Sequence, residues 1–264
     1  MPFTGAHPAA IIPLVKHKFI LSALIFGSIA PDLGYYVGFE SPNRITHSVI
    51  GIFLFSLPVG FLSLMIFHYV LKRPLLELLP DSLRSRLFYY TKTFSGFSKG
   101  QFRLVVLSLI LGAFTHIAWD TLTHEKDWVL HGFTFVKQVV LTTGRGSVQI
   151  HHLFQHGSTV VGLGLIVIWL VRWFQRTKPQ NVPHAVFPLS IRYTLIFTMI
   201  AVSLLLSYPP QLNRSTLQNL STAQTVTEFV VIKSISILFT QLIIYSIGVH
   251  MFLALNKRKL PANN

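Results

Sequence analysis

Residues 48–70 read SVIGIFLFSLPVGFLSLMIFHYV. The stretch carries no Asp, Glu, Lys or Arg and is as long as the roughly 20 apolar residues that carry a helix across a bilayer. Four further segments read the same way: Leu104 to Trp119, Ser158 to Phe174, Arg192 to Tyr208 and Val231 to Leu255. A sixth, Phe19 to Val37, is interrupted by Pro31-Asp32. Composition agrees: 51% of the 264 residues are hydrophobic and 11% are charged, against about 25% charged in ordinary soluble domains. The expected fold is all-α, a polytopic helical membrane bundle of about six transmembrane helices. The first of these is open to a second reading, a broken or re-entrant hairpin. A single integral membrane domain takes up the chain, with residues 1–160 carrying the motifs and 190–264 supplying generic spans.

The net charge of +14 does not point to nucleic acid, because the basic residues lie between apolar segments, where they set topology. Seven of them, Lys72, Arg73, Arg84, Arg86, Lys92, Lys99 and Arg103, separate the second and third spans. Arg44 alone separates the first and second. Richer and poorer connections alternate, so the positive-inside rule expects both termini in the cytoplasm and the 121–157 connection outside. The expected location is the inner (cytoplasmic) membrane of a bacterium, with membrane lipids as partners. Residues 75–97 mix Leu76, Leu79, Leu83 and Leu87 with Arg84, Arg86 and Lys92. They read as an amphipathic helix on the cytoplasmic surface or as a plain connecting helix.

With no cysteine in the chain, disulfides and thiolate metal sites are excluded and any metal must use nitrogen and oxygen ligands. The richest set of such ligands is GAFTHIAWDTLTH, residues 112–124. It places His116, Asp120 and His124 four apart at the end of an apolar run, on one helix face. Only eight residues are acidic, and an ionisable group in such a place is costly enough to be functional by default. His152 and His156 in HHLFQH repeat the spacing, whereas His151 points elsewhere. Asp32 follows Pro31, either as a ligand or as a cap of the next turn. His47 precedes the second span. His7 falls on the cytoplasmic side in a simple topology, but a hairpin of two short helices over residues 3–30 returns it to the others. The alternative for His116, Asp120 and His124 is a hydrogen-bonded polar stripe between helices; for His47 it is an interfacial histidine, and for His152 and His156 an interfacial cluster without metal. There is no GxSxG elbow, no phosphate-binding loop and no HExxH.

The segments MPFTGAHPAA, GSIAPDLGYY, THSVIG and GAFTHIAWDTLTH, in that order, resemble the DUF4184 family of bacterial membrane proteins, as do FHYVLKRPL and QHGSTVVG. Their order is also similar to that of the YdjM-type inner-membrane proteins, described as metal-dependent hydrolases. More distantly, His116-Ile-Ala-Trp-Asp120 resembles the HxxxD pair of zinc-dependent phospholipase C, whose additional HxxxE pair has no counterpart here.

The function expected from these observations is metal-dependent hydrolysis of a lipid-linked or phosphate-ester substrate at the outer membrane face. The expected metal ligands are His7, Asp32, His47, His116, Asp120, His124, His152 and His156. Zinc suits imidazole and carboxylate best, with manganese or iron as alternatives. Asp32 or Asp120 is expected to act as the base. The alternatives are a transporter or proton- and metal-handling protein, which should show polar residues along several spans, and a structural membrane protein.

Overall fold

The computed structural model describes residues 3–37, 43–91, 98–123, 138–143, 146–209 and 220–259. Apart from one antiparallel hairpin, β1 (Val139–Thr143) with β2 (Gly146–Gln149), the elements are helical. The main ones are α1 (Leu21–Ile29), α2 (Val49–Leu78), α3 (Lys99–Thr123), α4 (Ile150–Arg176), α5 (Leu189–Ser207) and α6 (Leu220–Lys259). Among the described residues, five stretches are long and apolar enough to cross a membrane: Val49–Leu78, Gly100–Thr121, Leu153–Arg176, Leu189–Ser207 and Thr225–Leu255. The first expected segment is not among them and is a broken helix instead, the second of the two readings given above. Pro31 cannot donate to a helical ladder, so α1 ends after nine residues and passes into a 3₁₀ turn at Ala30–Asp32.

The chain divides into two compact units. The first comprises Met1–Leu64, Ser95–Gln175 and Gln211–Glu228. It opens with a 3₁₀ helix at Thr4–Lys16, far longer than the 3–4 residues usual for that conformation. Pro8 and Pro13 interrupt any α ladder there. This segment and α1 make the hairpin of two short helices, and its buried face is Ala6, His7, Ala9 and Ile11.

α1 packs along α3 so closely that glycine is required on both sides. A Cβ at Gly27 would run into the Leu109 carbonyl, and one at Gly112 into the Leu24 carbonyl. The two helices run in the same direction, because their contacts climb together: the Ile20 N–H donates to Ser108 Oγ at 3.0 Å and His116 Nδ1 to the Ser28 carbonyl at 2.7 Å. One intervening span, α2, is what makes two membrane helices parallel. It also leaves the end of α1, the start of α2 and the end of α3 at one level.

α2 tolerates Pro58 and Pro74 by widening. It runs as π-helix over Ile52–Ser56 and Ile66–Leu71, just ahead of each proline, which relieves the clash of the ring with the carbonyl four residues back. For Pro74 that carbonyl is Val70, and the His250 Nε2 of α6 donates to it at 2.9 Å.

The second unit comprises Met65–Phe94, Arg176–Pro210 and Phe229–Asn264. Residues 75–91 do not form one amphipathic helix. Leu79 is extended ahead of Pro80, as residues before proline are, and the stretch splits into Lys72–Leu78, Asp81–Leu87 and a 3₁₀ turn at Phe88–Thr91. Residues 92–97 lie outside the described chain. Buried Arg84 and Glu77 hold the 177–188 connection in place. Arg84 Nη1 donates to the Pro183 carbonyl and Nη2 to Glu77 Oε1 at 3.4 Å, while Glu77 Oε2 accepts from the Val186 N–H at 3.1 Å.

The glycine contact predicts a sharp asymmetry. Gly27→Leu should cost at least the 1–3 kcal/mol typical of overpacking, since the obstacle is backbone. Gly100→Ala, where a Cβ meets nothing within 4 Å, should be neutral or stabilising by up to about 1 kcal/mol. Thermal unfolding of the two variants in detergent reads the difference.

Candidate metal centre

The parallel pairing of α1 and α3 brings the site together. His116 and Asp120 lie one turn apart on the inner face of α3. Asp32 ends the 3₁₀ turn after α1, at the same level. His47 sits just before α2, whose first turn is capped by Ser48: its Oγ accepts from the Gly51 N–H at 3.0 Å. The ligand atoms of Asp32, His47, His116 and Asp120 all lie within 4.8 Å of one another, and this group could hold a metal ion.

The distances are short and even. His47 Nε2 is 3.2 Å from Asp32 Oδ1 and 3.4 Å from Asp120 Oδ2. His116 Nε2 is 3.5 Å from Asp32 Oδ1 and 3.3 Å from Asp120 Oδ2. The two Nε2 atoms are 3.3 Å apart. His7 joins from the N-terminal 3₁₀ helix. Its ring stacks on that of His116 with centroids 3.8 Å apart, and its Nε2 lies 3.5 Å from Asp120 Oδ1. His7, Asp32, His116 and Asp120 are each at most 3% exposed, while the His47 side chain is 13% exposed.

Each of three ligands is oriented by a further group. His116 gives its Nδ1–H to the Ser28 carbonyl, which turns Nε2 to the centre. His47 Nδ1 meets Thr46 Oγ1 at 2.9 Å, with the same effect. The Thr4 hydroxyl donates to Asp32 Oδ2 at 2.7 Å and accepts from the Tyr36 hydroxyl at 3.1 Å. Asp32 makes no side-chain cap to the helix that follows it, so its carboxylate is committed to this cluster. Such outer partners fix the tautomer and direction of ligating groups. Burial alone would pull the His47 imidazolium down, but hydrogen bonds with Asp120 and Asp32 outweigh it and hold His47 above its ordinary value.

Of the other expected ligands, only His156 has a described side chain, and it is not part of this cluster. His124 lies outside the described residues. His152 belongs to α4, but its side chain is likewise outside what is described. His156 is exposed on α4, because its turn of that helix faces away from the packed side. Thr4, Tyr36, Thr46 and the Ser28 carbonyl take part without having been anticipated. Each lies within a stretch quoted above: Thr4 in MPFTGAHPAA, Ser28 and Tyr36 in GSIAPDLGYY, and Thr46 in THSVIG.

The family profile described as Domain of unknown function (DUF4184) matches residues 1–247. The chain belongs to the DUF4184 family. No curated protein and no solved structure matches it. The matched region contains all five converging side chains.

The Thr4–Asp32 bond predicts that Thr4→Val destabilises the protein by about 1.5 kcal/mol or more, the range for hydrogen bonds to a charged group. Thr4→Ser should restore most of the loss. Equilibrium unfolding of the three proteins checks both.

Proposed function

We propose that the chain is a metal-dependent membrane hydrolase in which Asp32, His47, His116 and Asp120 surround one divalent cation, zinc in preference to manganese or iron. The observation that carries this reading is the spacing of five of the six donor pairs, the sixth, Asp32 with Asp120, lying within 4.8 Å. Zinc bonds of about 2.05 Å in a tetrahedron give ligand–ligand edges roughly 1.6 times as long, about 3.3 Å. The five distances given above run from 3.2 to 3.5 Å.

Electrostatics supports the same reading. With Nδ1–H spent on the Ser28 carbonyl, neutral His116 presents a bare lone pair at Nε2, and His47 does the same when its Nδ1–H is given to Thr46. Two lone pairs and two carboxylates aimed at one buried point repel each other unless a positive charge sits among them. A cation supplies it. Protons on the imidazoles are the other source, and a purely structural polar cluster would use them.

A cation in this place supplies Lewis acidity and brings the pKa of water toward neutrality. The chain's own groups divide the remaining work. Asp32 is pinned at both oxygens and suits a fixed ligand. Asp120 turns Oδ2 to the imidazoles and Oδ1 to His7, so it is placed to take a proton and share it with His7. His47, the most exposed of the four, marks the side from which substrate arrives. All the donors stand at the ends of apolar helices, which favours a lipid-linked or phosphate-ester substrate at the outer membrane face. The resemblance of the His116–Asp120 pair to that of zinc-dependent phospholipase C points to the same substrates.

Elemental analysis of the purified protein should find about one equivalent of metal in the wild type. His116→Ala should lose most of it, since it removes a fully buried imidazole donor that the Ser28 carbonyl orients. Asp120→Asn, which keeps a side-chain oxygen in the same place, should retain more metal than His116→Ala yet lower hydrolysis by about a hundredfold, the scale of a general base. A wild type purified without stoichiometric metal sinks the reading. Metal with no turnover across a panel of phosphodiesters and lipids would replace the hydrolase with a metal carrier.

A further inference from the structure

The second unit contains a cavity of about 490 Å³ walled by residues 81–85 and 180–192, within the usual range of small-ligand sites. Two guanidinium groups line it, and both are buried. Arg84 is 3% exposed and Arg192 is 4% exposed. The cavity lies in the connection between two candidate membrane spans, Leu153–Arg176 and Leu189–Ser207, close in sequence to the ends of both.

Three features show what this pocket lacks. Among the described residues, Arg84 Nε is buried with no hydrogen-bond partner, although its Nη atoms are engaged by the Pro183 and His184 carbonyls and Glu77. α5 begins behind Pro188, which lines the cavity, with no side chain capping its first turn. Arg192 is the most telling. Its Nε donates to the Phe187 carbonyl at 2.7 Å and its Nη1 to the Leu79 carbonyl at 2.8 Å. Its acidic partner is Asp81, 2.8 Å away, whose side chain is 71% exposed. A buried cation held by a surface carboxylate has a partner that can swing into water at little cost.

We propose that this cavity binds a phosphate group, with Arg84 and Arg192 as the recognising residues and Asp81 as the carboxylate that the phosphate displaces. Arg86, on the same short helix as Arg84, donates from Nε to the Thr177 carbonyl of the 177–188 connection at 2.8 Å, and Lys178, next to Thr177, is exposed. Both add positive charge to the segments that carry the cavity. Guanidinium groups suit phosphate because their planar N–H pairs match its oxygens. The phosphate comes from an anionic lipid headgroup or from the free inorganic anion. The site is independent of the metal centre.

The full chain is placed in nanodiscs of phosphatidylcholine containing a minor share of phosphatidylglycerol. The lipids retained after extraction are then counted by native mass spectrometry. Wild type should retain phosphatidylglycerol in preference to phosphatidylcholine. Asp81→Asn, a surface change that removes the competing carboxylate, should raise that preference about tenfold, the worth of one hydrogen bond to a charged group. Ala185→Trp, which fills the cavity, should abolish it. A parallel titration with inorganic phosphate separates the sources. Stabilisation of wild type and more so of Asp81→Asn by phosphate, without lipid preference, assigns the site to the free anion. The proposal fails if Asp81→Asn changes neither lipid retention nor phosphate stabilisation. It fails equally if Ala185→Trp folds and binds like wild type.

Discussion

The close, parallel contact of α1 with α3 is the constraint from which the rest follows. Gly27 and Gly112 let the two backbones approach without a Cβ between them, a packing mode that serves helices in lipid, where burial of apolar surface gives little drive to associate. Once these helices lie together, the Ser28 carbonyl reaches His116, and Asp32 arrives beside both His116 and Asp120. The return of the N-terminal 3₁₀ helix along α1 then sets Thr4 on Asp32 and His7 on His116. Packing comes first and the charge cluster is its product. Two acids and three imidazoles would not gather in a dry interior by their own attraction, given the desolvation each one must bear.

Hydropathy was enough to find the long helices. In a chain with so few charges, twenty uninterrupted apolar residues admit almost no other structure. The reading was weakest at Phe19–Val37, where Pro31 shortens the helix. There the true arrangement depends on Thr4–Lys16, a segment whose prolines remove helical periodicity as a guide. The four-residue spacing of His116 and Asp120 was legible because it needs only one helix. The joining of Asp32, His47 and His7 to them rests on tertiary contacts among separate segments. Charge counting grouped Asp32 and His47 with them on one expected side but set His7 on the other in the simple topology, and it could bring none of them within bonding distance.

What stayed invisible has a common cause. The Ser28 carbonyl orients His116, the Val70 carbonyl receives His250, and the Pro183 and His184 carbonyls hold Arg84. Backbone acceptors are the same at every residue and leave no mark in a sequence. The splitting of residues 75–91 could have been foreseen from Pro80, but the burial of Arg84 and Glu77 could not. A charged pair inside an apolar connection reads, in one dimension, as surface.

The parallel contact also carries a lesson about how this chain can diverge. Ile20 meets Ser108 and Ser28 meets His116 with the same offset along the two helices, a ladder whose rungs fall about every second helical turn. Adding or removing a single residue inside either ladder would rotate everything beyond it by roughly 100°, swinging Asp32 or Asp120 out of the cluster. Related chains should therefore keep the spacing from Ile20 to Asp32 and from Ser108 to Asp120.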